Sequence, residues 1–115
     1  MGMDVDLEVR GEPLALPTLA DRSAFRIIQE SLTNAAKHAP GATVHVTVTY
    51  EDDAVTLSVV DDGATQRPTA IAGHGRGLIG MRERAAALSG RLEAGPEGAS
   101  GYAVRAWLPR DPARR

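Results

Sequence analysis

Cysteine is absent from the 115 residues of this chain, which removes disulfides, thiolate metal sites and cysteine nucleophiles together. Aromatic residues are almost as scarce: one Trp, two Tyr and one Phe. A stacking platform for nucleic-acid bases is therefore excluded. The formal net charge of −2 also leaves no basic footprint for phosphate backbones. No nucleic-acid partner is expected. No apolar run approaches the roughly 20 residues of a membrane span, so no membrane contact is expected, and no signal-peptide pattern opens the chain. Lysine is nearly missing as well: of 13 basic residues only Lys37 is lysine, so the remaining twelve are arginine.

What remains is the balance of a globular domain, 43% hydrophobic and 24% charged. Its core must be built from Val, Leu, Ile and Ala. The length fits one domain spanning 1–115, with Met1-Gly2-Met3 carrying no structural weight and 110–115 as a frayed tail. Four glycines crowd into one stretch, Gly73, Gly75, Gly77 and Gly80, where backbone without side chains is needed.

Val5 to Val9 alternate with period two and read as a strand ended by Gly11 and Pro13. A helix follows, capped by Thr18 or Asp21 and stopped by Pro40-Gly41. Its apolar stripe is predicted as Phe25, Ile28, Leu32, Ala35, Ala36 and Ala39, with Glu30, Asn34 and His38 opposite. Val44 to Tyr50 and Val55 to Val59 form an antiparallel hairpin across the acidic turn Glu51-Asp52-Asp53. Asp61-Asp62-Gly63 ends the second strand, and residues 64–74 are a loop. Leu78 to Ser89 reads as a second helix with Gly90 as its C-terminal cap. Strands from Leu92 and from Tyr102 to Leu108 flank a turn at Pro96 to Ser100. This order predicts an α+β two-layer sandwich: one mixed, mostly antiparallel sheet with helices on one face.

Three places carry chemistry. Glu30, Asn34 and His38 stand one turn apart in a row on the first helix, bordered by Lys37. Asn is unfavourable inside a helix, and its amide oxygen suits a hard cation such as Mg²⁺. A carboxylate one turn away is placed to orient a nucleophile or take its proton. Next, Val59-Val60-Asp61 runs a buried strand into an acid, and a buried carboxylate requires a hydrogen-bond donor. The exocyclic amine of adenine is such a donor. Third, the glycine cluster opens into a helix, where side-chain-free N–H groups make an anion site and Arg76 adds charge. Gly75, Gly77 and Gly80 also match a dinucleotide fingerprint with Glu93 downstream. That match fails because an irregular segment with Pro68 separates strand from glycines, and too little chain follows for a doubly wound sheet. A Gly-Lys-Ser/Thr phosphate loop is absent, since the single lysine lies elsewhere.

In order, these segments resemble the ATP-binding domain of bacterial sensor histidine kinases. Residues 26–39, RIIQESLTNAAKHA, are similar to the N box. Asp61-Asp62-Gly63 resembles the G1 box, and residues 73–84, GHGRGLIGMRER, resemble the G2 box. Gly101 to Pro109 is similar to the closing strand of the same domain. The short interval between G1 and G2, and the Gly-Met-Arg-Glu-Arg run, resemble the branch that pairs with response regulators of the NarL type.

The resemblance implies the Bergerat-type fold of the GHKL superfamily, shared by gyrase, a heat-shock chaperone, histidine kinases and MutL. It implies Asn34 as Mg²⁺ ligand, Glu30 as base or polariser, and Lys37 and His38 near the phosphates. Asp61 would accept from adenine, with Gly63 letting the base lie on backbone. Gly73, Gly75, Arg76, Gly77 and Leu78 would hold phosphates, and residues 64–74 would form a lid. The implied activity is transfer of the γ-phosphoryl group of ATP to a histidine on a separate dimerisation domain, in a cytoplasmic phosphorelay that ends on a response regulator. None of His38, His45 and His74 has the sequence context of a phosphoacceptor. Two residues depart from the pattern: Thr65 stands where a second glycine is usual, and Tyr102 where Thr is usual. Two alternatives share the fold: an anti-sigma-factor serine kinase, and a nucleotide-binding module that has lost activity.

Overall fold

Alternating valines build the sheet and small residues bring a helix down onto it. The computed structural model describes residues 4–13, 16, 18–39, 41–63, 75–98 and 100–110, with the side chains of 75 and 76 excepted. Among these, the elements run β1 (Asp4–Arg10), α1 (Thr18–His38), β2 (Thr43–Tyr50), β3 (Ala54–Asp61), α2 (Gly75–Ala87), β4 (Arg91–Glu97) and β5 (Gly101–Pro109). The five strands form one sheet ordered β1-β2-β3-β5-β4. β1 and β2 are parallel, joined through α1 as a parallel crossover requires, and all other pairs are antiparallel. The expected mixed, mostly antiparallel α+β sandwich is what forms.

Period-two patterning decides what faces the helices. On β3 the inward residues are Val55, Leu57, Val59 and then Asp61, so strand geometry itself buries that carboxylate. Tyr102, Val104, Ala106 and Leu108 of β5 share the face and pack with Ala20, Ala24 and Ile27 of α1 and Met81, Ala85 and Leu88 of α2. β1 is different: all seven of its residues are exposed, although Val5, Leu7 and Val9 pair with Val44, Val46 and Val48 on the helix side.

The helix stripe differs from the expected one. Ala35 and Ala39 are buried as predicted, but Phe25 is 62% exposed and the seat of α1 is Ala20, Ala24, Ile27, Ser31 and Asn34. Small side chains let the helix axis approach the sheet centre, whereas the large Ile28 and Leu32 straddle its flank toward β2. Asn34 thus lies on the buried face rather than opposite it. The helix also starts at Thr18, so Asp21 is a first-turn acid favoured by the helix dipole and not the cap.

At its far end α2 closes with a left-handed residue, but that residue is Ser89 (φ 63°), not Gly90. The N–H of Ser89 donates to Ala86 (2.9 Å) and that of Gly90 to Ala85 (2.8 Å), the paired bonds of a Schellman cap. Gly90 is needed for a different reason: a Cβ there would lie 2.3 Å from the Trp107 carbonyl oxygen. Since the left-handed region costs an L residue roughly 1–2 kcal/mol, Ser89→Gly is expected to stabilise the chain and raise its melting temperature by about 4 °C. A lowered melting temperature would show that the serine side chain holds the cap.

Pro96 lies inside β4 rather than in the turn. As an edge strand, β4 tolerates the missing N–H. Arg110, assigned to the frayed tail, is tied back: its N–H donates to the Asp53 carbonyl at 3.0 Å and its guanidinium to that of Asp52. Residues 111–115, and the loop expected over 64–74 with Gly73, lie outside the described residues.

Candidate functional site

The C-terminal half of α1, the start of α2 and the ends of β3 and β5 meet at one place. There Gly77 of α2 lies against α1, so that a Cβ on it would stand 3.0 Å from Glu30 Oε2 and 3.2 Å from Asn34 Nδ2. Asn34 is 7% exposed. Its Nδ2 is buried with no hydrogen-bond partner among the described residues. An unmet buried donor costs roughly 1–3 kcal/mol, so the position points to an acceptor that the described residues do not supply.

Next to it, Asp61 is 5% exposed and its Oδ1 accepts the Gly63 N–H at 2.9 Å. The turn after it is pinned on both sides. Asp62 exchanges bonds with Thr43, whose N–H donates to Asp62 Oδ1 (3.0 Å) while the Asp62 N–H donates to the Thr43 carbonyl (3.1 Å). The Ser100 hydroxyl donates to the Asp62 carbonyl at 3.0 Å. Gly63 adopts φ 79°, and a Cβ there would fall 2.1 Å from the Ser100 carbonyl oxygen. A cavity between α1 and the sheet is lined by Ser31, Asn34, Ala35, Val59, Asp61, Tyr102 and Val104. It therefore joins Asn34 to Asp61.

Glu30, Asn34 and Gly77 are brought together, as are Asn34 and Asp61. Lys37 is exposed and His38 half-buried in the last turn of α1. Leu78 is half-buried in the first turn of α2, which begins at Gly75, three residues earlier than expected. The side chain of Arg76, together with Gly73, His74 and Thr65, lies outside the described residues. Sequence reasoning missed Ser31, whose hydroxyl donates to the Ile27 carbonyl at 2.8 Å and contacts Met81 sulfur at 3.5 Å. It also missed the pinning roles of Thr43 and Ser100. The available signal was a run of small residues where α1 meets α2. Among the described residues, the clear charge perturbation is remote and belongs to the exposed pair Glu8 and Arg10: a hydrogen bond from Arg10 at 2.8 Å, and its charge, hold the Glu8 carboxyl below its ordinary value and the Arg10 guanidinium above its own.

A buried amide nitrogen without a partner among the described residues, a carboxylate beside it and the glycine-rich start of a helix thus lie together. With both helices on one face of a mixed sheet, the architecture is that of a two-layer α+β sandwich. Comparison with known proteins narrows the class. Residues 20–112 match the family described as histidine kinase-, DNA gyrase B-, and HSP90-like ATPase, and the chain belongs to that family. It is 30% identical over 105 residues to the sensor histidine kinase LnrJ of Bacillus subtilis, covering 91% of this chain and 26% of that protein. It is 36% identical over 89 residues to the nitrate/nitrite sensor protein NarX of Escherichia coli, covering 77% of this chain and 15% of that protein. The chain therefore spans about a quarter or less of these relatives. Among solved structures, the catalytic domain of histidine kinase ThkA superposes with TM-score 0.70 at 18% identity, covering 98% of this chain and 82% of that one. Full-length ShkA in complex with AMPPNP superposes with TM-score 0.72 at 24% identity, covering 94% and 26%. These two likenesses speak for the fold.

Proposed function

We propose that this chain is the catalytic module of a sensor histidine kinase, which binds Mg-ATP and passes its γ-phosphoryl group to a histidine on a separate dimerisation domain. The observation that carries the reading is the buried Asn34 Nδ2, without a partner among the described residues, beside Glu30 and the side-chain-free Gly77. The residues fit the nucleotide and its cation. Asn34 Oδ1 would hold Mg²⁺ and Nδ2 would donate to a phosphate oxygen. The N–H groups of Gly75, Gly77 and Leu78 would meet the phosphates, with Gly73, Arg76, Lys37 and His38 at their margin. Asp61 would accept from the adenine amine above the Gly63 turn. Bound Mg²⁺ supplies charge neutralisation for the phosphoryl group in flight. Glu30 would take the proton from one nitrogen of the attacking imidazole as the lone pair of the other nitrogen meets the γ-phosphorus, while the bond from that phosphorus to the β,γ-bridging oxygen breaks and ADP leaves. The names of the cited relatives favour this reading over the anti-sigma-factor serine kinase. Among the described residues no helix is long and apolar enough to cross a membrane, and the module is proposed to act in the cytoplasm, handing on to a response regulator through the dimerisation domain.

Calorimetry with ADP and ATP, with and without Mg²⁺, tests the binding half. Binding that Mg²⁺ leaves unchanged would count against Asn34 as its ligand. The transfer half predicts that this chain alone, incubated with radiolabelled Mg-ATP, acquires no acid-labile phosphohistidine. His38 sits in a helix and His45 within a strand. Stable label on the isolated chain would overturn the need for a separate acceptor domain.

A further inference from the structure

We propose that Tyr102 is a specificity-determining residue, a side-chain plug at the inner end of the base pocket that a purine must displace. This rests on the nucleotide reading above and adds to it a residue that limits how deeply, and at what cost, the base is seated.

Asp61 and Tyr102 are direct partners in the β3–β5 register and both face the helices. Tyr102 is 7% exposed. The cavity joining Asp61 to Asn34 is lined otherwise by Ser31, Ala35, Val59 and Val104, so Tyr102 is its one large wall. The space left is about 10 Å³, room for a single water, whereas one six-membered ring needs a cavity of about 150 Å³. A base reaching Asp61 from this side meets the phenol ring first. On its other side Tyr102 pairs with Pro96 of the edge strand β4.

If the plugged state dominates in the free protein, the apparent affinity is lowered by the fraction of molecules in which the ring has moved aside. Shortening the side chain removes that penalty. Tyr102→Val, apolar and suited to a strand, is expected to bind ADP about tenfold more tightly than the unmodified chain in calorimetry. Tyr102→Phe, which keeps the ring, should stay within about twofold of it. In the unmodified chain, the ring resonances of Tyr102 should shift on saturation with ADP, which gives a readout even where the Val variant fails to fold. A folded Val variant with unchanged or weaker affinity overturns the plug. So does a Phe variant as tight as the Val variant, or a Tyr102 ring signal unmoved by saturating ADP. Absence of ADP binding in the unmodified chain and both variants is a different result: it removes the nucleotide reading and the plug with it.

Discussion

Asn34→Ala is expected to lose Mg²⁺-dependent nucleotide binding by at least about 100-fold while making the empty protein more stable. The two effects share one cause. Nδ2 is buried without a partner in the described structure, so deleting it relieves roughly 1–3 kcal/mol of unmet desolvation. Alanine is also the better helix former by about half a kcal/mol. Against this stands the lost packing of a small side chain, leaving a net gain near 1 kcal/mol and a rise of about 4 °C in melting temperature. In the proposed role, the same deletion removes the cation's protein ligand and a donor to phosphate. A melt without ligand and a calorimetric titration with Mg-ADP give both halves. A variant that melts lower and still binds would contradict the reading of this site.

The second large effect is on the turn that carries Asp61. Gly63→Ala is expected to cost about 3–4 kcal/mol, well beyond an ordinary surface change, and to lower the melting temperature by more than about 10 °C. Conformation alone does not produce that figure, and Gly41 gives the comparison. Gly41 has nearly the same φ, 83° against 79°, but a Cβ on it would meet nothing within 4 Å. Gly41→Ala should therefore cost only the left-handed penalty, roughly 1–2 kcal/mol. At Gly63 the added carbon would lie 2.1 Å from the Ser100 carbonyl oxygen and 2.8 Å from its hydroxyl oxygen. The Ser100 backbone must retreat, and with it the bond that its hydroxyl donates to Asp62. Equal melting temperatures for the two variants would show that the turn accommodates the methyl group.

Much of this architecture was legible because strands obey a strict period. Alternation along β3 carries the buried register from Val55 through Asp61, so a buried acid at the end of a strand follows from the sequence alone. The row of Glu30 and Asn34, and the glycines before Leu78, were equally readable, since helical spacing and missing side chains are local facts. The seat of α1 was not. Apolar residues at helical spacing pointed to Phe25 and Leu32, but the helix reaches the sheet centre through Ala20, Ala24 and Ser31, and closeness is a property of two surfaces. Ser89 was hidden by its neighbour: Gly90 draws a cap assignment, yet its glycine is required by the carbonyl of Trp107 on another strand. Tyr102 stood out as a departure, but its place opposite Asp61 depends on the β3–β5 pairing, which no local pattern encodes.

The exposed first strand has a consequence for how the domain comes apart. β1 contributes no buried residue and pairs only with β2, while the cores under α1 and α2 are formed by later elements. Regions with few buried contacts open at a fraction of the global unfolding free energy. β1 is thus expected to be a separable foldon, exchanging its amide hydrogens through a local opening that leaves Asn34, Asp61 and the α1–α2 contact intact. Among the described residues, those that form the candidate site, Glu30, Asn34, Asp61 and Gly77, lie on elements other than this exposed margin.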